Sequence, residues 1–197
     1  MTTESFHDFL GRVAMFKEFT AQEIDELLRI TNRVRFKPEQ VICRAGEDGD
    51  CMYIIREGII KVMARNERGA DFILARLSEG EVVGEMSLVD DAPRSATLVA
   101  ETDAVLYEIY RADFSDLKDE MNPSAYKLLR EIAKSSCHRL REVNVQIHHY
   151  MDNPAKLFEP EVKSGIESTT VTDRAKRFLK LFGQRLGGFG KEGSHAN

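Results

Sequence analysis

Between Val34 and Ile109 the chain is cut into short apolar runs by turn residues, and this spacing limits the fold more than any other feature. Arg33–Phe36 stops at Lys37-Pro38. Val41–Cys43 stops at the run Gly46-Glu47-Asp48-Gly49-Asp50. Met52–Ile55 passes through Glu57-Gly58 into Ile59–Ala64, and Asn66-Glu67-Arg68-Gly69 reads as a hairpin loop before Phe72–Leu77. After a break at Glu79-Gly80, Ala96–Ala100 and Ala104–Ile109 are joined at Thr102-Asp103. Runs this short, with turns this frequent, predict a barrel, roll or sandwich and exclude a doubly wound parallel sheet.

Helical periodicity flanks the strands. Residues 6–32 read as helical with irregular apolar spacing, and Thr20 with Glu23 fits a capping box ahead of AQEIDELLRI. Arg111–Met121 reads as a short helix stopped near Asn122-Pro123. A long helix follows, from about Ser124 to Tyr150. Leu129, Ala133, Ser136, Leu140, Val143, Ile147 and Tyr150 alternate steps of four and three along it, which predicts a parallel dimer seam. Residues 152–171 carry prolines, glycine and Ser/Thr and read as a linker. Thr172–Leu186 reads as an amphipathic helix with Ala175, Phe178, Leu179, Phe182 and Leu186 on one side. The expected organisation is a helical segment at 1–32, a strand-rich domain with its following helices at 33–150, and a linker with a basic, partly disordered tail at 151–197.

Charge and cysteine usage narrow the chemistry. The net charge of −5 argues against generic nucleic-acid binding, so an anionic ligand needs locally placed cations and backbone N–H groups. Cys43, Cys51 and Cys137 form no Cys-x-x-Cys pair, and His138 and His148-His149 read as surface or packing residues, so no metal is expected. There is no apolar run near the roughly 20 residues that span a bilayer, and MTTESFHDFL has no signal-peptide pattern. These features give the expectation of a cytoplasmic protein. No nucleophile–base pair or nucleoside-triphosphate loop is visible, so the expectation is a binding protein and not an enzyme.

One segment interrupts the strand series: Gly80-Glu81-Val82-Val83-Gly84-Glu85-Met86-Ser87-Leu88-Val89-Asp90-Asp91-Ala92-Pro93-Arg94-Ser95-Ala96-Thr97. Glu85–Val89 suits a single helical turn whose start presents partial positive charge, and Gly84 lets a ligand approach the backbone. Arg94 can grip two phosphate oxygens. Glu85 suits an anion site only if it faces a hydroxyl, as a ribose 2′-OH would supply. The alternative is a buried structural ion pair of Glu85 and Arg94.

With Gly84-Glu85-Met86-Ser87-Leu88 and Pro93-Arg94-Ser95-Ala96-Thr97, the segment resembles the phosphate-binding cassette of the cyclic-nucleotide-binding domain family. Phe36-Lys37-Pro38, Ala45-Gly46-Glu47, Tyr53-Ile54-Ile55, Gly58, Lys61-Val62 and Leu77-Ser78-Glu79-Gly80 follow in that family's order. The resemblance covers about residues 16–144. It implies a mainly β fold: an eight-stranded β-roll, a jelly-roll-like double-stranded β-helix, with N-terminal helices and a long C-terminal helix. It implies Glu85 on the ribose and Arg94 on the cyclic phosphate. The Ser95 hydroxyl, the backbone near Met86 and Ala96, and the neighbouring Val83, Gly84 and Ser87 complete the site. Base contacts fall on the long helix, with Val143 and Asn144 as first candidates and Arg139 as a rival. Ser95, where the guanine-selective members often carry Thr, favours cAMP over cGMP. One departure is Glu39-Gln40, where the family commonly has glycine after the proline.

The expected function is a cyclic mononucleotide sensor whose ligand repositions the long helix and so controls a partner or a homodimer formed through residues 124–150. Residues 172–189 are expected to meet a protein partner or a membrane surface. The alternatives are a catabolite-activator-type regulator lacking a complete DNA-binding domain, and a ligand-free interaction module. The last 47 residues look too few and too loop-like for a helix-turn-helix, so specific DNA binding is not expected.

Overall fold

The computed structural model describes residues 5–65 and 69–152. Eight antiparallel strands form two four-stranded sheets: β1 (Thr31–Phe36), β2 (Val41–Cys43), β3 (Cys51–Glu57), β4 (Ile60–Arg65), β5 (Asp71–Leu77), β6 (Val82–Val83), β7 (Thr97–Ala100) and β8 (Ala104–Tyr110). One sheet has the order β1-β8-β3-β6 and the other β2-β7-β4-β5. This is the β-roll that the sequence resemblance implied. The hairpin loop expected at 66–69 lies mostly outside the described residues, but β4 and β5 pair on either side of it, Arg65 opposite Asp71.

Alternation along the strands divides the apolar residues into two cores. The first fills the roll. Cys51, Tyr53 and Ile55 of β3 meet Ala104 and Leu106 of β8, Ile60 and Val62 of β4, and Leu98 and Ala100 of β7 there. The second lies on the outer face of the first sheet, where Met52, Ile54 and Ile109 pack against the helices. Strand β3 serves both cores, so Cys51–Ile55 is buried without interruption and reads as a continuous apolar run.

The helices cover that outer face. The N-terminal stretch divides into α1 (Phe6–Arg12), a 3₁₀ turn at Ala14–Phe16 and α2 (Ala21–Arg29). β1 begins at Thr31, inside the stretch read as helical. The capping box is present: Thr20 Oγ1 accepts from the Glu23 N–H, and the Glu23 carboxylate accepts from the Thr20 N–H at 2.7 Å. Burial pushes the Glu23 carboxyl up, but Lys127 and Thr20 together hold it below the usual value. α3 (Arg111–Asp119) ends with Met121 in the left-handed region, φ 57°. There the Asn122 and Met121 N–H groups bond back to the Leu117 and Lys118 carbonyls. α4 (Pro123–Asp152) starts at the proline because its missing N–H costs nothing at a helix start, and the Asn122 side chain caps the Ser124 N–H at 2.9 Å. Over 30 residues α4 extends about 45 Å. Its Ala125, Leu128 and Ile132 pack into the helical core, beside Phe9, Phe16 and Phe114.

The turn after Pro38 keeps its shape without glycine. Glu39 adopts φ 63°, its N–H bonds the Ala100 carbonyl, and its carboxylate accepts from Lys61 Nζ at 2.8 Å.

Candidate functional site

Short-range geometry sets up the site between β6 and β7. Gly84 lies at φ 76° and leads into a 3₁₀ turn, Glu85–Leu88, whose Ser87 N–H bonds the Gly84 carbonyl. A Cβ on Gly84 would lie 2.5 Å from Arg94 Nη1 and 3.2 Å from the Cys51 carbonyl. The glycine therefore does two things here: it takes the left-handed conformation and vacates the space of the guanidinium.

Arg94 reaches that space from a tethered backbone. Its N–H bonds the Glu47 carbonyl and its carbonyl accepts from the Gly46 N–H. The side chain is 6% exposed. Nη1 donates to Ser87 Oγ at 3.1 Å, and Nη2 donates to Cys51 Sγ at 3.2 Å and Asp50 Oδ1 at 3.4 Å. The guanidinium stands 5.7 Å from the Tyr53 ring centre, on the side of β3 that faces the roll. Its Nε is buried and has no hydrogen-bond partner. A buried cationic donor left unpaired is costly, and an anion arriving there would satisfy it.

The surroundings of Arg94 are low in polarity. Burial pushes the Cys51 thiol up to about 11 and the Tyr53 phenol up as well. Both side chains therefore stay neutral, and neither cancels the arginine's charge. Glu108, on the same inner face opposite Tyr53, is also pushed up by burial, although its bond to Tyr110 opposes this. The 90–91 loop is pinned from outside, because Arg111 donates to the Asp90 carbonyl at 2.9 Å and pairs with Asp91.

Glu85 is 4% exposed, and its Oε1 accepts from Arg139 Nη2 of α4. The pair lies on the wall of a cavity of about 390 Å³ between the Ala14–Phe16 turn, the Gly80–Val82 turn and α4. Arg139 is the sole link that the described hydrogen bonds give between the cassette and α4.

The remaining expected residues fall at varied positions. Val83 pairs with Tyr53 and packs against the inner core. Ser87 is buried and spends its hydroxyl on Arg94. Met86 is 53% exposed, pointing outward. Ser95 is exposed and Ala96 half-buried. Val143 is half-buried and Asn144 exposed, one turn and more beyond Arg139, and neither lines the cavity beside Glu85. Asp50 and Cys51 were not expected as parts of the site. Their contacts to Arg94 cross 44 and 43 residues, and no local pattern signals them. Among the described residues no group of three or more His, Cys, Asp or Glu is arranged to hold a metal ion.

Comparison with known proteins gives a consistent result. Residues 33–120 match the family model for the cyclic nucleotide-binding domain. The chain is 29% identical over 133 residues to the cyclic AMP receptor protein of Thermus thermophilus, covering 68% of this chain and 60% of that protein. Against the curated relatives it matches first, it covers 33% to 60% of their own lengths. Among solved structures, the N-terminal domain of a transcriptional regulator from Streptomyces coelicolor is 28% identical, with a TM-score of 0.61 over 71% of this chain and 95% of that one. The Thermus thermophilus catabolite activator protein, at 23% identity, shares the fold over 91% of this chain and 90% of its own, with a TM-score of 0.63.

Proposed function

We propose, from the premise that residues 33–120 are a cyclic nucleotide-binding domain, that this chain is a sensor of a 3′,5′-cyclic mononucleotide, with cAMP preferred to cGMP. The observation that carries the reading is Arg94: a buried guanidinium, held by Ser87, Cys51 and Asp50, with its Nε unpaired. Arg94 binds the cyclic phosphate, and the Ser95 hydroxyl with the backbone near Met86 and Ala96 completes the cradle. Glu85 accepts the ribose 2′-OH. Gly84 and Val83 shape the floor, and Ser87 aims the arginine. The preference for cAMP rests on Ser95, and the base meets α4 at Val143 and Asn144.

The signal leaves through α4. Arg139 already pairs with Glu85, so a hydroxyl that claims the same carboxylate changes the hold of the cassette on the helix. The ligand shifts the helix only by the difference in its affinity for the two helix positions. Leu140 and Ile147, seven residues apart on one face, are 63% and 39% exposed, which supports pairing of two copies along the distal part of α4. Free thiols at Cys43, Cys51 and Cys137 fit a reducing compartment such as the cytoplasm. The chain's role in this reading is binding and not catalysis.

Calorimetric titration with cAMP, cGMP and a cyclic dinucleotide tests the reading. Wild type binds cAMP most tightly, and Arg94→Ala weakens it at least tenfold to a hundredfold, since a bond to a charged group is worth roughly 1.5–3 kcal/mol. Equal binding by wild type and by Glu85→Ala/Arg94→Ala removes the site.

A further inference from the structure

We propose that the groove between the Glu85–Leu88 turn and α4 is the docking site of this chain's own C-terminal segment, residues 172–186, bound as an amphipathic helix. The groove encloses about 480 Å³. One wall is Met86 and Val89, 53% and 59% exposed. The other is Leu129, Ala133 and Cys137 of α4. Apolar surface left in water costs roughly 25 cal/mol per Å², and an apolar groove of this shape suits one face of a helix.

Length, reach and charge select the occupant. The stripe from Phe178 through Leu179 and Phe182 to Leu186 spans eight residues, as do Leu129 to Cys137, about 12 Å each at 1.5 Å per residue. α4 ends at Asp152, and Ala133 lies nineteen residues back along it, about 29 Å. Residues 153–171 reach about 60 Å when extended, so the return is short enough. Residues 172–197 hold six basic and two acidic side chains, a net +4 in a chain of net −5, which leaves −9 on the rest. Asp90 lines the groove, and its neighbour Asp91 is 95% exposed. A second copy's α4 carries five basic and three acidic side chains over 30 residues, whereas residues 172–186 carry five basic and one acidic over half that length, so charge favours the tail segment. Gly183 weakens the helix of the free segment by about 1 kcal/mol, so its helix forms on docking. Met86 and Val89 flank the residues assigned to the ligand, and a docked tail touches that turn from outside. The docking itself does not rest on the ligand reading.

Cys137 is exposed in the groove and reports its cover, while buried Cys51 reports whether the fold is intact. Alkylation of the full-length chain by iodoacetamide, located by mass spectrometry, is compared between wild type and Phe178→Asp/Phe182→Asp at several protein concentrations. Cys137 reacts about tenfold faster in the variant at every concentration, a loss of about 1.4 kcal/mol of cover, while Cys51 stays protected. Lys176→Glu/Lys180→Glu also speeds the reaction, and added salt speeds it in wild type. Equal Cys137 rates in wild type and the phenylalanine variant overturn the proposal. So does protection that depends on protein concentration, which assigns the groove to a second copy, or protection seen only with phosphatidylserine vesicles, which assigns the tail to a membrane.

Discussion

Replacing Gly84 with alanine separates the two demands placed on that glycine. The left-handed conformation at φ 76° costs an alanine roughly 1–2 kcal/mol of folding stability. The new Cβ would also sit 2.5 Å from Arg94 Nη1, so the guanidinium has to leave its place beside Ser87 and Cys51. Gly80 provides the control. It has φ 81°, but a Cβ there meets nothing within 4 Å. Gly80→Ala therefore carries the backbone strain alone. Gly80→Ala loses roughly 1–2 kcal/mol in urea denaturation, and Gly84→Ala loses more, because the displaced guanidinium also gives up its bonds to Ser87 and Cys51. Gly84→Ala additionally loses the charged contact to the ligand, roughly 1.5–3 kcal/mol, and so binds cAMP about tenfold to a hundredfold more weakly in calorimetry. Gly80→Ala binds as wild type does. If Gly84→Ala also binds as wild type does, the account of Arg94's place is wrong.

Three further outcomes follow from the same geometry. Arg139→Ala strands the buried Glu85 carboxylate and lowers stability by about 1–3 kcal/mol in thermal melts; adding Glu85→Gln recovers most of it, whereas strictly additive losses would mean the two residues are uncoupled. Glu108 has its carboxyl pushed up by burial, so between its ordinary value and its folded value the native chain binds the extra proton, and stability falls as pH rises through that window. Glu108→Gln therefore stabilises the protein at pH 7 and not below pH 4; equal melting shifts at both pH values contradict this. Met121→Gly relieves a left-handed methionine worth roughly 1–2 kcal/mol against a glycine entropy cost of about 0.4–1, for a gain of about 0.8 kcal/mol in urea denaturation.

What was legible in the sequence, and what was not, follows from the range of the forces involved. The capping box at Thr20 and Glu23 and the stop at Asn122-Pro123 are made by neighbours in the chain, and both are present. Strand β6 is only two residues long, too short for alternation to register, and it was visible only through the resemblance. The helical reading of 6–32 ran past Ile30 because Thr31 and Asn32 owe their strand conformation to pairing with Ile109 and Glu108, far along the chain. Glu39 holds a turn that glycine would hold more easily, and its contacts to Lys61 and Ala100 are again distant in sequence.

The same division holds at the site. Gly84, Glu85 and Arg94 stand within one local pattern. Asp50 and Cys51 join them only when β3 is laid beside the cassette. Arg139, the rival candidate for the base, has its guanidinium on Glu85, a contact that no local pattern signals.

The unpaired Nε–H of Arg94 can be watched directly by ¹⁵N NMR of arginine side chains. On adding cAMP, the Arg94 Nε–H resonance moves strongly and becomes protected from exchange, while linear 5′-AMP at the same concentration leaves it in place. A resonance that stays where it was while the protein is saturated with cAMP would show that the phosphate is held elsewhere.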